Sequence, residues 1–173
     1  SNDYNWENGN GFLGANGSRR KIRPDGLDKN IAKENLLLMK NIFEKNNLFF
    51  YLIDGTLLGA VRDNDFIDYD NDTDLRIYYR DIPLLVKCVP ELIKVGLEPL
   101  RISEGEISFV RNNEYIDIEF LREHEESRFT EKFDKITFCE SEFNIPQYVE
   151  EYLTICYGDW RVKSKNHTWT HPK

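Results

Sequence analysis

Three aspartates at alternate positions, Asp70, Asp72 and Asp74, are the side chains of this sequence best suited to chemistry. They follow an apolar run, Leu48-Phe-Phe-Tyr-Leu-Ile53, that ends in Asp54-Gly55-Thr56. They lead into a second alternating segment, Leu75-Arg-Ile-Tyr-Tyr79. Carboxylates two residues apart on a strand share one face, so Asp72 and Asp74 can hold one hard cation together. Asp117, in Ile116-Asp-Ile118, is placed to supply a third carboxylate from a neighbouring strand. Gly55-Thr56, between a buried strand and a short helix, offers free amides and partial positive charge to a phosphate. Cation and phosphate cradle together serve phosphoryl transfer, because the cation offsets the charge that repels a nucleophile.

Each group has a plainer reading. An acidic cluster is usually a solvated loop, but this one runs straight into an apolar strand. As a calcium loop it fails in both registers. Starting at Asp68 puts Thr73 where glycine is needed and Tyr79 where glutamate is needed; starting at Asp70 puts Leu75 and Asp81 there. Arg62 can bind phosphate or pair with the adjacent aspartates. Gly59 either admits a close backbone or is a small packing residue. His167 and His171 lie in a polar tail without further ligands at zinc spacing, so they read as surface. Trp160 caps a core or stacks a base.

The elements that must position these groups are legible in outline. Asp28 is predicted to cap a helix whose apolar face holds Ile31, Leu38 and Ile42. Leu48–Ile53 reads as a buried strand, Asp54-Gly55-Thr56 as a turn, and Thr56–Arg62 as a short helix. Asp72–Tyr79 reads as a strand with Leu75, Ile77 and Tyr79 on one face. Asp81 is predicted to cap a helix running to about Val95, bent at Pro90 and closed by Gly96. Glu106–Arg111 and Tyr115–Leu121 form a hairpin across Asn112-Asn113, and Lys135–Cys139 is a weaker strand. Pro146 is predicted to start a last helix that Gly158 ends.

The chain has 173 residues, 40 % apolar and 13 % aromatic, enough for one domain with one core. Residues 1–26, rich in Gly, Asn and Ser, read as an arm or linker, and 27–173 as a single domain. A net charge of -8 argues against a general nucleic-acid binder. The basic run Arg19, Arg20, Lys21 and Arg23 offers a contact for a phosphorylated ligand. No apolar run approaches the roughly 20 residues a membrane helix needs. The polar N-terminus carries no signal-peptide pattern, and the dispersed Cys88, Cys139 and Cys156 read as reduced core thiols. A cytoplasmic location is the expectation.

The string Asp54-Gly-Thr-Leu-Leu-Gly-Ala-Val-Arg62, followed by Phe66-Ile-Asp-Tyr-Asp-Asn-Asp-Thr-Asp-Leu75, resembles the LicD/fukutin family. The family pattern reads Gly-(Thr/Ser)-Leu-Leu-Gly-Ala-x-Arg, then Ile-Pro-Trp-Asp-x-Asp-x-Asp. Tyr157-Gly-Asp-Trp160 also resembles its closing Tyr-Gly segment. The resemblance covers roughly Leu36–Trp160. Asp68-Tyr69 stands where the family usually has Pro-Trp, and the family's long insertions are missing. The resemblance implies an α/β (α+β) fold: a small mixed sheet of nucleotidyltransferase type, flanked by helices. It implies metal-dependent transfer of an alcohol phosphate, of choline, ribitol or glycerol type, from a CDP-activated donor to a glycan hydroxyl in surface-glycan or capsule synthesis. Asp72, Asp74 and Asp117 would bind Mg2+ or Mn2+ and carry catalysis, and Asp70 matches the family's additional Asp. Gly55, Thr56, Arg62 and Asp70 would contact substrate. The alternatives are a nucleotidyltransferase moving a nucleoside monophosphate from a triphosphate, or a non-catalytic nucleotide- or glycan-binding module.

Overall fold

The computed structural model describes Gly11–Phe12 and residues 25–163. Asp28 caps the first helix as predicted, its carboxylate accepting the amides of Asn30 and Ile31 at 3.0 and 3.1 Å. Such a cap contributes about 1 kcal/mol. Helix α1 (Lys29–Lys45) buries Ala32, Leu36, Met39, Ile42 and Phe43. Strand β1 (Gly11–Phe12) falls inside the segment read as an arm and adds an edge to the sheet. Strand β2 (Tyr51–Leu52) is followed directly by α2 (Asp54–Asp63). Strand β3 (Asp72–Tyr78) then leads into α3 (Ile82–Lys94), which runs on through Pro90. Strands β4 (Glu98–Ile102), β5 (Glu106–Arg111) and β6 (Glu114–Leu121) form a meander. A second hairpin, β7 (Phe133–Phe138) and β8 (Ser141–Pro146), precedes α4 (Val149–Tyr157).

The main sheet has six strands in the order β1-β4-β5-β6-β3-β2, and β3 and β6 form its parallel pair. That register sets Asp74 opposite Asp117 and Arg76 opposite Glu119. Side chains alternate across a strand, so the two faces of β3 and β6 differ in kind. One face presents Thr73, Leu75, Ile77, Ile116, Ile118 and Phe120, all buried. Helix α1 packs on β6 and β3 there, and α3 packs on α1 and β4. The other face carries Asp72, Asp74, Arg76, Asp117 and Glu119. Beyond the β2 edge, the β7–β8 hairpin packs against β2, and β7 also against α2. Its rings Phe138 and Phe143 join Phe66 and Phe50 in edge-to-face contacts with centroids 5.1–6.2 Å apart.

Several boundaries differ from the sequence reading. Only Tyr51–Leu52 of the run Leu48–Ile53 pairs as a strand, although the run is buried at most positions. Asp54-Gly55-Thr56 is the first turn of α2 and not a separate turn; Asp54 enters it at φ +50°. Pro146 ends β8, where it needs no ladder donor, and the last helix waits until Tyr148 turns the chain at φ +54°. Asp81 precedes α3 but makes no capping bond with its side chain. The basic run Arg19–Arg23 and the tail histidines His167 and His171 lie outside the described residues.

Candidate active site

The first turn of α2 fixes the middle of the acidic strand. Ile53 N–H donates to the Asp74 carbonyl at 3.2 Å, and the Asp74 amide donates to Thr56 Oγ1 at 2.8 Å. Both backbone groups of Asp74 are thereby tied to the entry of α2. Thr56 is fully buried, so its hydroxyl works on the strand that carries the carboxylates. Gly55 leaves room for Asp70: a Cβ at Gly55 would stand 2.5 Å from Asp70 Oδ2. Gly59 admits backbone, since its Cβ would stand 2.4 Å from the Asp65 carbonyl oxygen.

Asp72, Asp74 and Asp117 converge as the sequence predicts. Each offers an oxygen, and the three lie within 4.8 Å of one another. Two ligands of one cation, each at about 2–2.5 Å, can be no more than about 5 Å apart, so the set fits a hard divalent ion. Ser108 Oγ donates to Asp117 Oδ1 at 2.6 Å and orients it. Burial, followed by repulsion from Asp72, Asp54, Asp117 and Asp70, pushes the Asp74 carboxyl well above the ordinary carboxylate range. Such mutual repulsion is the electrostatic condition a cation relieves.

Two carboxylates extend the acidic face. Asp54 lies among Glu119, Arg76 and Asp70, and burial ahead of the Glu119 charge raises it to about 7. Burial raises Asp70 to about 6, against the amides of Asn71 and Asp72. Asp54 Oδ1 and Asp70 Oδ2 are both buried without a hydrogen-bond partner. Asp54 and Tyr69 hold φ of +50° and +71°, and such strain in non-glycine residues gathers at functional sites.

Two clefts open near the acidic face, one reaching Asp70 and the other Arg76 and Glu119. One, of about 470 Å³, is bordered by Gly55, Arg62, Tyr69, Asp70, Tyr157 and Lys163. Arg62 makes a two-pronged pair with Asp63, both bonds 3.0 Å, and Lys163 stands 3.7 Å from the same carboxylate. The other cleft, of about 1040 Å³, begins at Arg76 and Glu119. Trp160, which the sequence left as a core cap or a base stacker, is buried, while Tyr69 is half exposed at the first cleft.

Asp54, Ser108 and Glu119 went unassigned in the sequence reading, and two of them had a signal. The Asn112-Asn113 turn fixes the hairpin register, which sets Ser108 opposite Asp117. Glu119 follows Asp117 on the same face of β6. Asp54 gave no periodic signal, because it sits between a strand and a helix.

The family described as LicD/FKTN/FKRP, nucleotidyltransferase domain, matches residues 47–147. The ribitol-5-phosphate transferase FKTN of Mus musculus is 29% identical over 80% of this chain and 35% of its own length. An uncharacterized protein of Rickettsia typhi is 33% identical over 53% of this chain and 29% of its own. The chain thus spans about a third of the length of these relatives. Among solved structures, the antibiotic-resistance factor ANT(2'')-Ia superposes with a TM-score of 0.55 at 12% identity, over 78% of this chain and 80% of that one. That likeness is one of fold alone, a mixed sheet flanked by helices. Matched across the strand, helix and Asp-x-Asp segment that build the site, this chain belongs to the LicD/FKTN/FKRP nucleotidyltransferase-domain family.

Proposed function

We propose that this domain transfers an alcohol phosphate from a CDP-activated donor to a sugar hydroxyl, in the assembly of a surface glycan or capsule. The observation that carries the reading is the convergence of Asp72, Asp74 and Asp117 within 4.8 Å beside a cleft that begins at the entry of α2. These three residues would hold a magnesium or manganese ion, whose charge offsets that of the donor diphosphate.

In this reading, the first turn of α2 faces the diphosphate with the amides near Gly55, and Lys163 adds positive charge along the same cleft, where Asp63 already holds Arg62. Thr56 keeps Asp74 in place through the strand amide. The acceptor oxygen attacks the phosphorus that carries the alcohol. The bond from that phosphorus to the oxygen bridging it to CMP breaks, and CMP leaves. Asp117, oriented by Ser108, would take the hydroxyl proton as well as bind the cation. The family match and the FKTN relatives support phosphotransfer over generic nucleotide binding.

Product analysis tests the reading. With magnesium, a CDP-alcohol and a mixed glycan acceptor, the expected products are CMP and a phosphodiester-linked alcohol, resolved by phosphorus NMR. Pyrophosphate released from a nucleoside triphosphate, with no CMP from any CDP-alcohol, would assign nucleotidyl transfer instead.

No helix among the described residues is long and apolar enough to cross a membrane.

A further inference from the structure

We propose that the cleft on the Arg76–Glu119 side of the triad is the acceptor site, and that it takes a neutral, hydroxyl-rich oligosaccharide. The inference rests on the phosphotransfer reading for the word acceptor, and on geometry for the rest. Arg76 and Glu119 pair directly across β3 and β6, one side-chain step beyond Asp74 and Asp117. Two residues along a strand is about 6.6 Å, so the cleft wall starts about one sugar ring from the triad. Asp70 and the entry of α2 border the other cleft. In-line displacement needs attacking and leaving oxygens on opposite sides of phosphorus. Asp70 precedes and Arg76 follows Asp72 and Asp74 along the chain, so a nucleotide on the α2 side leaves the Arg76 side to the acceptor.

Size and charge identify the occupant. About 1040 Å³ exceeds the roughly 300–1,000 Å³ of ordinary small-ligand sites and more than doubles the α2-side cleft. Glu104, Glu119, Glu125 and Glu126 face it against Arg76 and Arg122. Arg76 pairs with Glu119, and Arg122 contacts the Glu104 carbonyl at 3.1 Å and the Tyr79 ring at 4.4 Å. Glu125 accepts the Arg122 amide and Glu126 pairs with Arg80, which leaves the lining acidic by its count of four carboxylates to two arginines. Carboxylates in excess accept hydrogen bonds from hydroxyls and repel phosphate, sulfate and uronate groups. An anionic acceptor is disfavoured and a neutral sugar is suited.

Gly105 gives the test. It lines this cleft, and a Cβ there meets nothing within 4 Å, so Gly105→Trp adds bulk to open space. An array of neutral, sialylated and sulfated oligosaccharides is probed with the whole chain in magnesium and cytidine diphosphate. Neutral glycans are expected to be retained about tenfold better than anionic ones, and Gly105→Trp to lower that retention about tenfold. The thermal shift given by cytidine diphosphate with magnesium should be unchanged in Gly105→Trp. Exposed Glu104→Lys, which leaves packing alone, should narrow the preference for neutral glycans. Preference for anionic glycans, retention unaffected by both substitutions, or no glycan retained would overturn the assignment. Glycan retention without CMP release would sink phosphotransfer and leave the cleft standing; CMP release without retention would do the reverse.

Discussion

Neighbouring residues on β3 live in opposite worlds. Leu75 is fully buried among Ile77, Ile116 and Ile118 beneath α1, while Asp74, one residue earlier, faces Asp72, Asp117 and Asp54. The apolar face of these two strands stabilises the fold by removing hydrocarbon from water. The acidic face does the reverse, because gathering carboxylates away from water raises the free energy of the charged state. Placing both on the same strands lets a rigid core hold like charges at a fixed spacing that they would not keep by themselves. Hydrogen bonds between the entry of α2 and the Asp74 backbone, and from Ser108 to Asp117, complete the positioning.

Substituting these two neighbours separates the two faces most sharply. Asp74→Asn should fold at least as well as the parent without metal, since one repelling charge is gone, and should lose about 10²–10³-fold or more in transfer rate. Leu75→Ala should cost about 2–5 kcal/mol of stability by chemical denaturation, through lost burial and the cavity left behind. A stability loss in Asp74→Asn equal to that of Leu75→Ala would make the acidic face structural.

A second difference shows with pH. Asp54 at about 7 and Asp70 at about 6 both stand above their ordinary 3.8, chiefly through burial. The folded chain therefore binds more protons than the unfolded chain between about pH 4 and 7. Stability of the metal-free protein should rise as pH falls through that window and decline as pH rises through it. Magnesium competes with those protons, so its stabilising thermal shift should be larger at pH 8 than at pH 6. Melting scans with and without magnesium check both, and a metal-free melting temperature that climbs from pH 5 to 8 would refute the ordering.

The smallest expected effect separates positioning from ligation. Ser108→Ala removes a hydrogen bond of order 1 kcal/mol, so it should slow transfer by roughly five- to tenfold. Added to Asp117→Asn it should cost little more, because the two act as one unit. Full additivity in the double-mutant rates would give Ser108 a role apart from Asp117.

What the sequence revealed follows the same division. Alternation on β3 made the shared face of Asp72 and Asp74 readable, and Asn112-Asn113, residues at ease at φ +51° and +63°, announced the β5–β6 hairpin. The β7–β8 hairpin turns at Cys139 and Glu140 with φ +53° and +60°, residues that carry no turn signal, so β8 and its end at Pro146 went unread. Asp54 was invisible for a related reason. Its left-handed backbone and its place among Glu119, Arg76 and Asp70 arise from tertiary contacts that no local pattern encodes. Strand β4, with its irregular register between Pro99 and Arg101, lacks clean alternation.

Cation binding on the acidic face decides whether Asp72, Asp74 and Asp117 form a metal site. Manganese titrated into the whole chain can be followed by the loss of its free-ion paramagnetic signal, and by broadening of amide resonances. The expected result is saturable binding that broadens β3 and β6 around Asp74 and Asp117 and is abolished by Asp74→Asn in a chain that still folds. Broadening centred elsewhere, or undiminished in Asp74→Asn, would contradict a metal-dependent site on this face.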